Sequence, residues 1–167
     1  MPLPEAPVPR TNTASSAAAQ AISEGIASPN TIAKRLGYAG LIPFVSLAVL
    51  LWIVQADLRP WLTIALTSYA ALIASFLGGI HWGIAATQPQ PARSFHHIWG
   101  ITPSLMAWLA LIMPAYAGLP LIAALLIACY LVDRKSYPAA GWSAWLPMRL
   151  KLTVVAVLSC LMGAGAI

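Results

Sequence analysis

Charged residues are scarce in this chain. Asp, Glu, Lys and Arg together make up 8% of its 167 residues, whereas a typical soluble domain has about 25%. A water-facing surface cannot be built from so few charges, which excludes an ordinary soluble domain. Hydrophobic residues make up 60% of the chain, and the mean hydropathy is +0.80. The composition therefore indicates an integral membrane protein.

Acidic residues are the scarcest of all. The chain has four, and two of them, Glu5 and Glu24, lie in the first 30 residues. A pair of carboxylates for acid–base catalysis therefore cannot be built within the apolar part of the chain. The serines are not set in a GxSxG motif, so a serine hydrolase is also unsupported. We expect the protein not to be an enzyme.

Cysteine is nearly absent, and the two that occur, Cys129 and Cys160, lie in separate apolar stretches with no CxxC spacing. A structural zinc site is therefore not expected. The net charge of +5 comes from dispersed Lys and Arg residues with no run of five or more. This dispersion gives no reason to expect a nucleic-acid partner.

The first 30 residues contain five prolines and an Ala-, Ser- and Thr-rich middle, without the apolar core of a signal peptide. We expect residues 1–32 to form a disordered cytoplasmic tail. An amphipathic membrane-surface segment around residues 17–27 is an alternative for part of it. Residues 33–167 are expected to form a single transmembrane domain.

Five apolar segments follow the tail. A bilayer core of about 30 Å needs about 20 helical residues, and the first, second and fifth segments are long enough. The third and fourth are shorter, and could form either a hairpin that crosses twice or a single kinked crossing. The segments are about 36–55, 61–86, 98–114, 118–132 and 147–166.

The positive charges favour two crossings. With five spans, one side of the membrane receives eight of the nine Lys and Arg residues, and the other receives Arg59 alone. The positive-inside rule then predicts an all-α, multi-pass bundle of five transmembrane helices, with a cytoplasmic N-terminus and an outside C-terminus. The eight residues are Arg10, Lys34, Arg35, Arg93, Arg134, Lys135, Arg149 and Lys151.

Small residues recur at intervals of four along the second segment. Ala71, Ser75, Gly79 and Gly83 form such a row, and Gly78 belongs to a second row that includes His81. Rows of this kind let a neighbouring helix approach closely in a membrane. They predict a helix-packing seam on two faces and a central position for this helix.

His81 is the only ionisable residue well inside a predicted span, and such residues suggest a functional site. Asp133 at the end of the fourth segment and Arg149 near the start of the fifth are predicted at a similar depth on the same side. Two interpretations stay open. The three side chains could form a structural cluster that joins three helices, or a site that binds a ligand or handles protons.

His96 and His97 precede the third segment on the same predicted side. With His81, either could provide a pair of imidazoles for haem, as facing helices do in bundle proteins. The spacing matches no recognised haem or metal signature. We therefore expect no cofactor and no metal, with haem as the alternative.

Three stretches carry a resemblance to a known family: LGYAGLIPF at 36–44, SFLGGIHWG at 75–83 and RLKLT at 149–153. Over residues 33–165 the chain resembles the bacterial domain of unknown function 3429 (DUF3429) family, whose eukaryotic relatives are called transmembrane protein 69. The resemblance implies a small multi-pass membrane protein and no established activity or site residue. The resemblance implies a mitochondrial location in eukaryotes or the inner membrane in bacteria. The poor transit-peptide character of residues 1–30 favours the inner membrane of a bacterial cell.

Three functional hypotheses follow. The first is a non-enzymatic assembly or scaffold protein whose partners are the lipid bilayer, other membrane proteins or further copies of itself. The second is a small transporter or proton- or ion-handling protein that uses His81, Asp133 and Arg149. The third is a haem- or quinone-binding protein.

Overall fold

The computed structural model describes residues 28–167, and these are helical with no strand among them. The predicted all-α class is therefore confirmed for this range. The expectations for residues 1–27 lie outside the described residues. The helices are α1 (Thr31–Ala39), α2 (Leu41–Ile53), α3 (Arg59–Thr87), α4 (Ala92–Ile112), α5 (Ala115–Ala139) and α6 (Leu146–Gly165), with a 3₁₀ turn at Ser143–Trp145 before α6.

The first predicted span, 36–55, is divided into α1 and α2. α1 begins early because the side chain of Asn30 caps it, accepting a hydrogen bond of 2.8 Å from the Ala33 amide. The break falls at Gly40, three residues before Pro43. Pro43 has no backbone N–H to donate to the carbonyl of Ala39, and its ring would clash with that carbonyl in a continuous helix. α1 therefore ends at Ala39.

Four helical stretches are long and apolar enough to cross a membrane: Thr31–Ile53, Arg59–Thr87, Ala115–Ala139 and Ser143–Gly165. α4 has 21 residues but is not among the four. Its first two turns contain Arg93, His96 and His97, which lower its mean hydropathy. α5 continues past the predicted end at residue 132, through Asp133 and the basic residues that follow it.

α3 contacts α2, α4, α5 and α6, in keeping with its predicted central position. It pairs with α4 in an antiparallel hairpin, since Gly78 faces Gly100 and the later His81 faces the earlier His96. The backbones are closest at the glycines, where a Cβ atom on Gly78 would lie 2.5 Å from the Gly100 carbonyl oxygen.

The middle of the bundle is largely apolar, and the buried histidine and charged side chains gather near one end. The core includes Phe44, Leu51, Leu66, Leu119 and Ile122. The end formed by the C-terminal parts of α3 and α5 and the N-terminal parts of α4 and α6 holds two buried histidines, an aspartate and an arginine. The fold thus brings four helices together around a polar cluster.

Candidate functional site

Four side chains from four helices, His81, His96, Asp133 and Arg149, form a buried polar network. His81 lies on α3, His96 on α4, Asp133 on α5 and Arg149 on α6. Their relative exposures are 1%, 6%, 1% and 8%, respectively. Charged residues are rarely buried to this degree unless they are paired, so the contacts within the network decide whether it is stable.

Asp133 lies at the centre of the network and uses both carboxylate oxygens. Arg149 Nε donates to Oδ2 over 2.9 Å, and Arg149 Nη2 donates to the same oxygen. His81 Nε2 lies 3.0 Å from Oδ1. An ionised carboxylate only accepts hydrogen bonds, so His81 carries a proton on Nε2 and donates it to Asp133.

The other ring nitrogen of His81 faces His96. The two Nδ1 atoms are 2.9 Å apart, and the rings are stacked at a centroid distance of 5.2 Å. Because Nε2 of neutral His81 carries its proton, Nδ1 is an acceptor, and His96 Nδ1 donates to it. A hydrogen-bonded chain therefore runs from His96 through His81 and Asp133 to Arg149.

The network places two imidazole rings in series beside a carboxylate. Asp133 lies 3.0 Å from His81 and pairs with the opposite charge of Arg149. Imidazole rings in hydrogen-bond contact are the groups from which proton relays are built in proteins.

Aromatic rings surround the histidine pair. Phe95 packs edge-on against His96 and stacks with Trp99, and Trp99 packs edge-on against His81 at a centroid distance of 6.5 Å. The Trp99 indole N–H is buried without a hydrogen-bond partner among the described residues. These rings screen the histidines from the surroundings, and a lower local dielectric strengthens the hydrogen bonds.

The structure brings together the three residues that the sequence suggested, His81, Asp133 and Arg149, and adds His96. The sequence by itself suggests His96 only as an alternative haem ligand. Its spacing from His81, across the short connection between α3 and α4, is the signal that could have placed it in the network. His97 is separate: it is exposed, and its carbonyl accepts a 3.2 Å hydrogen bond from the Trp82 indole.

The two facing Nδ1 atoms of His81 and His96 are in hydrogen-bond contact with each other. A metal ion between two imidazole nitrogens lies roughly 2 Å from each, which needs a wider gap than the 2.9 Å between the two Nδ1 atoms. Ligation by both histidines would therefore require their mutual hydrogen bond to open. His97 does not face His81.

The small residues of the predicted packing seam on α3 lie on different sides of the helix. Ala71 and Gly78 are buried and Ser75 is half-buried, whereas Gly79 and Gly83 are exposed. A Cβ atom on either exposed glycine would have no other atom within 4 Å. Four residues advance about 40° beyond a full turn, so the row drifts from the core at Ala71 to the outer surface at Gly83.

Comparison with known proteins agrees with the resemblance seen in the motifs. The model of the family described as protein of unknown function (DUF3429) matches residues 29–165. Transmembrane protein 69 of Xenopus tropicalis is 41% identical over 131 residues, which are 74% of this chain and 50% of that protein. The chain thus spans about half the length of this relative. No solved structure matches the chain.

Proposed function

The chain belongs to the DUF3429 family, and from this premise we propose that it is a non-enzymatic assembly or scaffold protein. It binds another transmembrane helix, of a partner protein or of a second copy, through the exposed glycine face of α3. This face consists of Gly79 and Gly83 with the exposed flanking side chains Leu72 and Phe76.

One observation carries this proposal: two exposed glycines in the last third of α3 have no neighbouring atom within 4 Å of where a Cβ would lie. Gly is less favourable than Ala in a helix interior by about 1 kcal/mol, and here no close approach within the chain offsets that cost. Small residues spaced by four allow two helix backbones to come into contact in a bilayer. A second helix seated on this face would account for both glycines.

Crosslinking in native membranes followed by purification and mass spectrometry tests this proposal. The variant Gly79→Leu/Gly83→Leu fills the face, and we expect it to lose the proteins, or the second copy, that the unmodified chain captures. Ala124→Leu is the matched control, because Ala124 is an exposed small residue on α5. Equal capture by all three proteins, or no reproducible capture by any, would contradict the proposal.

We also propose that the chain crosses the inner membrane of a bacterial cell five times, with a cytoplasmic N-terminus and an outside C-terminus. The four candidate spans and the antiparallel α3–α4 hairpin support a fifth crossing by α4. Large exposed side chains also form a stripe along α4 that suits contact with lipid: Ile98, Ile101, Leu105, Trp108 and Ile112.

A second candidate function is proton handling by the buried polar network. The specific observation in its favour is the contact between His81 and His96, which supplies a proton path of two imidazoles next to a carboxylate. Purified protein in liposomes with an internal pH dye provides the test. His81→Gln and Asp133→Asn should abolish proton movement, whereas His97→Gln should not. Movement no faster than in empty liposomes excludes this function.

We propose that neither function uses haem. The two histidines best placed to ligate it are occupied by each other and by Asp133. Purified protein should therefore show no Soret band, and a Soret band that disappears in His81→Ala would contradict this.

A further inference from the structure

A large cavity adjoins the Arg149 end of the buried polar network. Its volume is about 680 Å³, within the range of about 300–1,000 Å³ that small-molecule sites occupy. Residues of α1, α2, α3, α5 and α6 line it. α1 contributes no buried residue, so this short helix covers the cavity without filling it.

The polar groups around the cavity are few. Arg149 lines it, and so does Thr153, one turn later on α6. Thr153 is 6% exposed, and its hydroxyl has no hydrogen-bond partner among the described residues. Threonine in a helix divides between two χ1 rotamers, so this hydroxyl can turn toward a molecule in the cavity. A buried hydroxyl without a partner is costly, and a ligand that accepts its hydrogen bond would remove that cost.

Apart from the hydroxyl of Tyr137 and the indole N–H groups of two tryptophans, the remaining lining is apolar. It is rich in aromatic rings, including Phe44, Phe76, Tyr137 and Trp142. Aromatic side chains favour a flat ring, which can stack on them or meet them edge-on. The charge at the polar end also selects the ligand. Asp133 already neutralises Arg149, so an anionic head group would meet a nearby carboxylate, whereas an uncharged carbonyl would not.

From these features we propose that the cavity binds a membrane-soluble quinone. A carbonyl oxygen of the flat ring accepts hydrogen bonds from Thr153 and Arg149, and the alkyl chain lies along the apolar wall beneath α1. The proposal concerns binding alone and does not rest on the exposed glycine face, although Phe76 belongs to that face and also lines the cavity.

The test uses the full chain in lipid nanodiscs, with a benzoquinone that carries a decyl chain as the probe and empty nanodiscs as the blank. Titration calorimetry should show saturable binding of one quinone per chain. Thr153→Val keeps the side-chain shape and removes the hydroxyl, so it should weaken binding about 5- to 10-fold, as expected for the loss of one hydrogen bond. Thr67→Val is the matched control, since Thr67 is equally buried but does not line the cavity.

Two further measurements distinguish recognition of the quinone carbonyl from nonspecific apolar binding in the cavity. Decylbenzene lacks the carbonyls, so its binding should be unaffected by Thr153→Val. Ala156→Phe places a ring inside the cavity and should remove binding of both molecules. Binding no greater than in empty nanodiscs means that bilayer lipid occupies the cavity and overturns the proposal. The proposal is also overturned if Thr153→Val leaves quinone binding unchanged. It is overturned as well if Thr153→Val weakens the binding of quinone and of decylbenzene by the same factor.

Discussion

Asp133 determines the electrostatic balance of the buried polar network, because Arg149 and His81 both depend on its carboxylate. Burying an ion pair is expensive, so the pair adds little net stability compared with an apolar pair of the same size. Removing only one partner is much worse, since the other charge stays buried without compensation. Replacing both partners by apolar residues therefore measures the net contribution of the ion pair to stability, whereas replacing one partner measures the cost of an uncompensated buried charge.

We predict that Asp133→Asn lowers the free energy of unfolding by about 3–5 kcal/mol, because it leaves the Arg149 guanidinium uncompensated. The double variant Asp133→Leu/Arg149→Met should lose markedly less. Unfolding by SDS in mixed micelles, followed by circular dichroism, measures both. Arg134→Gln is the control, since Arg134 is exposed beside Asp133 and its loss should change stability by less than about 0.5 kcal/mol. Equal losses in the single and double variants would refute this account.

The adjacent histidines 96 and 97 have different surroundings, although the sequence cannot tell them apart. His96→Ala leaves Nδ1 of buried His81 without a partner, which should cost about 1–3 kcal/mol of stability. His97→Ala removes an exposed side chain. The hydrogen bond from the Trp82 indole is kept, because its acceptor is the backbone carbonyl of residue 97 and not the imidazole ring. The effect of His97→Ala should stay below about 0.5 kcal/mol. The same SDS titration compares them, and similar effects would mean that the contact between His81 and His96 is not formed in the membrane.

At the scale of the helices, adjacent glycines on α3 also differ. Gly78 meets the Gly100 carbonyl and Pro103 on α4, while Gly79 faces no other atom of the chain. We predict that Gly78→Ala forces α3 and α4 apart and costs about 1–3 kcal/mol. Gly79→Ala should instead be neutral or slightly stabilising, because Ala has the higher helix propensity. Melting temperatures of the two variants in detergent provide the measurement, and a larger loss for Gly79→Ala would contradict the packing described.

The helices themselves could be predicted from the sequence, because runs of about 20 apolar residues have few stable alternatives in a bilayer. Their ends could not. Hydropathy stops at the first charges, whereas the hydrogen bonds of α5 continue beyond Asp133 to Ala139, and α4 begins at Ala92, six residues before the predicted span. The contact of His96 also escaped prediction, since it depends on how α4 is rotated about its axis. That rotation is set by the close approach of Gly78 and Gly100.

For the molecule as a whole, three features differ in how accessible they are to other molecules: the buried polar network, the glycine face of α3 and the cavity behind α1. The buried polar network lies within the chain and needs no partner to satisfy it. The glycine face of α3 is open to the membrane, and the cavity lies behind α1. A single bundle of 140 described residues can therefore hold helices together by ion pairing at one end while still offering two surfaces to other molecules.

The membrane crossings of the whole chain depend on α4, the helix whose apolar length is marginal. Five crossings place Gln90 and Ala139 in the cytoplasm, and Asp57 and Met113 outside. If α4 did not cross, Met113 would stay on the same side as Gln90. To test this, Cys129 and Cys160 are replaced by Ala, and a single cysteine is introduced at each of these four exposed positions. Labelling by a membrane-impermeant maleimide then reports which side of the membrane each position faces.

In intact cells, we expect labelling of Asp57→Cys and Met113→Cys but not of Gln90→Cys or Ala139→Cys. In inside-out vesicles the pattern should reverse, which controls for differences in reactivity. The physical reason is the positive charge: Arg93, Arg134 and Lys135 lie beside the two connections that we propose to be cytoplasmic, and Arg59 is the one Lys or Arg residue beside a connection that we propose to be outside. Labelling of Met113→Cys together with Gln90→Cys would show that α4 lies on one side of the membrane, and the histidine pair would then lie nearer to water than the five-helix arrangement allows.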